Sequence, residues 1–76
     1  MKYTVLDTVV LNKDIPEHGL KAGDVGAIVE TYEPDGIEVE FVTGSGATQA
    51  LLTLNINDVH PISDREILSV RALDAA

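Results

Sequence analysis

The sequence has no cysteine and no tryptophan, few aromatic residues (4%), and only 5 Lys+Arg against 13 Asp+Glu. Without cysteine there is no disulfide, no thiolate cluster for zinc and no thiol nucleophile. The scarcity of basic residues leaves a formal charge of -8. That charge disfavours nucleic acid and anionic lipid, which are held by Lys and Arg replacing counterions. No apolar run approaches the about 18 residues that suggest a membrane-spanning helix, and the N-terminus does not read as a signal peptide. At 76 residues the chain is one domain. A domain this small buries roughly 60% of the surface its unfolded form exposes, which leaves little interior for an enclosed catalytic pocket. The expectation is a soluble, cytoplasmic, non-catalytic protein, a monomer or weak homo-oligomer, with no cofactor, metal, nucleic acid or membrane.

Apolar and acidic residues alternate at Ile37, Glu38, Val39, Glu40 and Phe41, the period-2 pattern of a half-buried strand. Residues 5–11 and 25–32 are rich in β-branched side chains and bounded by turn-formers, and read as strands. Further strands are expected over 47–54 and around 59–62. Glu33, Pro34, Asp35 and Gly36 suit a type I turn with Gly36 as a bulge residue. That turn sets Val29 opposite Phe41, Thr31 opposite Val39 and Glu30 opposite Glu40. Val29, Thr31, Ile37, Val39 and Phe41 would then face the core, with Glu30, Tyr32, Glu38 and Glu40 on the other side.

Residues 12–22 form a long first loop whose Ile15 and Leu20 tuck back onto the core. Gly23 and Gly26 serve tight turning and close backbone approach. Residues 55–58 form one turn of 3-10 helix, with Asn and Asp side chains satisfying nearby backbone donors. The pattern is all-β, a small barrel of five to six strands over residues 1–62. Residues 63–73 form a C-terminal extension, in which residues 65–73 suit a sixth strand or a short amphipathic helix, a short strand or extended arm being the favoured reading, and residues 74–76 should fray.

A family resemblance enters at four segments taken in order. These are Leu6, Asp7, Thr8, Val9, Val10, Leu11; Pro16, Glu17, His18, Gly19, Leu20; Gly23, Asp24, Val25, Gly26; and Glu38, Val39, Glu40, Phe41. Together they resemble the bacterial family called domain of unknown function 4926, over about residues 1–61. The resemblance implies a Src-homology-3-like barrel and no particular activity. A looser likeness, at Gly23 to Gly26 and Asp58, Val59, is to other such barrels. Among these are the small subunit through which photosynthetic complex I receives ferredoxin, and ribosome-associated modules. Fold likeness is a weak guide to role.

Histidine is the residue type suited to acid-base work near neutrality and to metal ligation, but neither His18 nor His60 stands in a metal-ligand spacing. His18 reads as a loop residue and His60, before Pro61, as part of an edge strand. Ser45 between Gly44 and Gly46 lacks the Lys, following helix and flanking glycines of a phosphate loop or nucleophile elbow, and reads as a hairpin tip. Asn55, Asn57 and Asp58 lack the oxygen ladder of a calcium loop. With only Tyr3, Tyr32 and Phe41 as aromatics, a groove for proline-rich peptides is not expected.

What remains is acidity. Asp14, Glu17, Asp24, Glu30, Glu33, Asp35, Glu38 and Glu40 crowd the first half of the chain. Such a set either keeps a small protein soluble or docks a basic partner. The functional reading is a protein-interaction module that binds a larger, basic protein through Asp14, Glu17, His18, Glu30, Tyr32, Glu33, Asp35, Glu38 and Glu40. An immunity or antitoxin-like role is one specific version. The alternative is an accessory or electron-transfer-docking subunit of a larger enzyme complex.

Overall fold

The alternation at residues 37–41 becomes the centre of a strand in the computed structural model, which describes residues 1–73. The fraying expected of residues 74–76 lies outside the described residues. Among the described residues five strands form, β1 (Thr8–Leu11), β2 (Val25–Tyr32), β3 (Gly36–Val42), β4 (Thr48–Asn55) and β5 (Val59–Pro61). They make one antiparallel sheet in the order β4-β3-β2-β1-β5. β4 and β5 are its edges, so the expected closed barrel is, in its hydrogen-bond ladder, an open five-stranded sheet. Neither the sixth strand nor the helix allowed for in residues 63–73 forms; those residues make an arm outside the sheet.

Two 3-10 turns punctuate the sheet, Pro16–His18 inside the first loop and Ile56–Asp58 before β5. The second is held as the residue types suggested. The Asn55 side chain accepts from the Asn57 N–H at 2.8 Å, and the Asp58 carboxylate accepts from the Asn55 N–H at 3.0 Å. This reciprocal capping satisfies two donors that the turn would leave unpaired. In the first loop Ile15 and Leu20 are buried, as expected of its two apolar residues, and join a core with Val9, Leu11, Ile28, Ile37, Val39 and Phe41. Tyr3 also enters this core, and Lys2 lies over its ring at 5.4 Å.

The structure corrects three local expectations. β1 begins at Thr8 because residues 4–7 form a turn, in which the Asp7 carboxylate accepts from the Thr4 N–H at 2.9 Å and Leu6 takes φ +79°. A short acidic side chain bonding the backbone offers the chain an alternative to the ladder. The β2–β3 connection is Glu33 to Asp35, with a cis Glu33–Pro34 peptide, between the paired Tyr32 and Gly36. Gly36 is thus a strand residue, and a Cβ there would lie 3.2 Å from the Tyr32 Cβ.

The third correction is the register. Ile28 faces Val39 and Glu30 faces Glu38, with a bulge between Ile28 and Glu30. One extra residue reverses the alternation. Ile28 is therefore fully buried, whereas Val29, assigned to the core from its spacing, is 38% exposed. Thr31 pairs with Ile37 instead of Val39, and Glu30 with Glu38 instead of Glu40. Gly26 does supply close approach, since a Cβ there would come within 2.6 Å of Val39 Cγ1 and 2.8 Å of Phe41 Cε1.

Candidate docking surface

The outer face of β2 and β3 carries an acidic group. Glu30 and Glu38 are directly opposed, and Glu40 follows Glu38 on the same side. Carboxylates opposed across strands repel, and here threonine hydroxyls of β4 hold two of them. Thr53 Oγ1 donates to Glu38 Oε1 at 2.6 Å and Thr48 Oγ1 donates to Glu40 Oε2 at 2.6 Å. Glu30 Oε1 accepts from the Thr31 N–H at 3.0 Å. Tyr32 completes the group, its side chain over Gly36. Local desolvation, with the nearby Glu38 and Glu30 charges, holds the Tyr32 phenol above its usual range. Among the described residues no ion pair engages Glu30, Glu38 or Glu40.

The other residues expected at a partner site lie elsewhere. Glu33 sits on the hairpin turn, 3.7 Å from the N-terminal ammonium. Asp35 ties that turn to the second 3-10 turn, accepting from Asn55 Nδ2 at 3.0 Å while its carbonyl accepts from the Ile56 N–H at 2.9 Å. Asp14 accepts from the Ala22 N–H at 2.8 Å and so closes the first loop. Glu17 and His18 are exposed on the first 3-10 turn, where with Asp14 they border a shallow recess beside Leu52 and Leu54. Leu52 and Leu54 pack against the core. The first loop therefore lies on the core side of the sheet, opposite the Glu30, Glu38, Glu40 face, and the nine residues do not form one patch.

Four residues outside that set organise the C-terminal arm. Arg71 grips Asp24 with two hydrogen bonds, and its Nη2 also donates to the Gly19 carbonyl at 2.8 Å. The Arg71 hydrogen bonds, with the Lys21 N–H donating to the same carboxylate, hold Asp24 below the usual carboxylate range despite its partial burial. His60 Nε2 meets Glu66 Oε2 at 2.8 Å, and its Nδ1 faces Asn12 Oδ1. Glu66 also accepts from the Ser63 N–H at 2.8 Å, and this bond, followed by the one to His60, holds its carboxyl below the usual carboxylate range. Asp24 was counted with the acidic set, yet Arg71 neutralises it. A separation of 47 residues carries no local signal for that pairing.

Among the described residues no three His, Cys, Asp or Glu side chains are grouped as a metal ion would require.

The family model described as Domain of unknown function (DUF4926) matches residues 5–61, and the chain belongs to that family. No curated protein and no solved structure matches the chain.

Proposed function

We propose that this DUF4926 domain is a non-catalytic docking module of the Src-homology-3-like barrel class, which binds a basic protein through the outer face of β2 and β3. The strand order β4-β3-β2-β1-β5, with a 3-10 turn before the last strand, supports the barrel class.

One observation carries the docking reading. Glu30 is opposed to Glu38, with Glu40 beside them, on a face where none of the three has a basic partner. A surface needed only for solubility gains nothing from opposing like charges, whereas a partner's Lys or Arg relieves that repulsion. The threonine hydroxyls of β4 keep Glu38 and Glu40 oriented before the partner arrives, which lowers the ordering cost of association. Tyr32, 47% exposed, adds an amphipathic ring of the kind enriched in interfaces. Of the nine residues expected from the sequence, Glu30, Tyr32, Glu38 and Glu40 carry this proposal.

The test is capture of partners from native lysate, followed by binding kinetics at low and moderate salt. Glu38→Lys/Glu40→Lys should keep the fold, slow association by about tenfold and flatten the salt dependence. Equal capture by wild type and variant, with the same salt response, would reduce the face to a solubility feature.

A further inference from the structure

The two edges of the sheet are not alike. β5 is three residues long and ends in Pro61, and shortness and proline are both means by which natural sheets keep an edge from pairing with another chain. β4 is eight residues long, with no charged residue and no proline. In an antiparallel ladder every second residue of an edge strand turns its N–H and C=O away from the neighbouring strand. Among the described residues the backbone of residues 50–54 has hydrogen-bond partners on β3 only. This half of the β4 edge is therefore open to a further strand.

Acidic side chains stand on both sides of that edge. On the outer face Thr53 and Thr48 hold Glu38 and Glu40 at 2.6 Å, which draws both carboxylates off β3 and over β4, toward the edge. On the core side Asp14 and Glu17 border the recess between the first loop and Leu52 and Leu54, while Lys13 at the same recess is paired with Asp58. Acids that do not form one patch thus flank one edge. Successive side chains of a strand point to opposite faces. A strand laid along β4 would send one set of side chains toward Glu38 and Glu40 and the alternate set into the recess, whose walls Ile15, Leu52 and Leu54 are apolar. Cross-strand neighbours have Cβ atoms about 4.5–5.5 Å apart, so a Lys or Arg set beside Thr53 reaches the carboxylate that its hydroxyl holds. A second copy of β4 has no charge to offer there, and it would bring its own Glu38 and Glu40 up to these.

We propose that the β4 edge takes an extended segment of the partner protein by strand addition, with Lys or Arg at the positions that face Glu38 and Glu40 and apolar residues at the alternate positions. This rests on the docking reading of the acidic face and names how the partner's bases reach it. The partner's main chain pairs with residues 50–54 and supplies affinity, while the alternation of its side chains supplies selectivity.

Amide hydrogen exchange of the full chain, followed by NMR, tests it. The probe is a synthetic peptide as long as β4, eight residues, in which Lys and Val alternate, and its control has the same composition with the lysines grouped. The alternating peptide should slow exchange of every second amide within residues 50–54 by at least about tenfold, and the grouped one should bind at least about tenfold more weakly. Glu38→Lys/Glu40→Lys should abolish this protection while the amides of the protein's own ladder stay protected. A peptide that binds the acidic face without protecting the β4 amides overturns strand addition and leaves the docking reading standing. An alternating peptide that does not bind up to about 1 mM overturns strand addition as well, and capture of partners then decides the docking reading. Protection that survives Glu38→Lys/Glu40→Lys overturns both. Protection that appears in the chain alone as its concentration rises assigns the edge to a second copy and overturns the choice of occupant.

Discussion

The Arg71 guanidinium meets the Asp24 carboxylate edge to edge, Nε to Oδ1 at 2.8 Å and Nη2 to Oδ2 at 2.6 Å. Two parallel charge-assisted bonds fix orientation as well as distance. They join a C-terminal arm to the loop that precedes β2, and the His60–Glu66 contact joins the same arm to β5.

Acid should release this arm. Asp24 and Glu66 both titrate below their ordinary ranges in the folded chain. A depressed carboxylate contributes stability that is fully present above its unfolded pKa, about 4, and is lost as pH falls through the lower folded value. The arm should therefore stay attached from neutrality down to about pH 4 and loosen below it. Asp24→Asn should loosen it at pH 7. Backbone amide relaxation across residues 67–73 reads both effects. An arm equally ordered in Asp24→Asn and wild type would mean that the Arg71 clamp does not hold it.

Val39→Asp or Phe41→Asp should unfold the chain. Val39 is fully buried and Phe41 nearly so, and an unpaired charge at either site costs several kcal/mol, comparable with the stability of a small domain. Glu38→Lys should melt cooperatively, because its side chain lies on the outer face. Thermal melts of the three variants check this, and a disrupted Glu38→Lys would contradict the observed register.

Gly26→Ala should destabilise by about 1–3 kcal/mol through overpacking. The added methyl meets Val39 Cγ1 at 2.6 Å and Phe41 Cε1 at 2.8 Å, with the Glu40 carbonyl at 3.0 Å. Gly44→Ala is the control, since nothing lies within 4 Å of the corresponding Cβ. Denaturant midpoints compared at constant slope give the difference.

Thr53→Val should lower stability by about 1 kcal/mol, the order of a hydrogen bond lost from a carboxylate that stays partly solvated. Valine keeps the shape and suits a strand, so the loss isolates the hydroxyl. Paired with Glu38→Gln in a double-mutant cycle, the effects should be non-additive, because the two side chains share one bond of 2.6 Å. Additive effects would show that the threonines do not hold the acidic face.

Much of this protein is written in short stretches of its sequence. The alternation from Ile37 to Phe41 specified which side of β3 is buried, because side-chain direction in a strand depends only on parity. Asn55 and Asp58 specified a capped turn, because their partners are backbone groups two and three residues away. The family, too, was legible in four short segments, and its model ends at residue 61, before the arm. Tertiary structure decided what parity and spacing cannot encode. The bulge at Val29 moved Ile28 into the core and set Glu30 against Glu38, since the packing of β2 on β3 chooses where the extra residue goes. Packing likewise separated Asp14 and Glu17 from Glu38 and Glu40 by the thickness of the sheet. Arg71 reached Asp24, and Thr48 and Thr53 reached Glu40 and Glu38, only once the chain had folded back. A side chain's partner is set by what folding brings within hydrogen-bond distance, and neighbours in sequence carry no record of it.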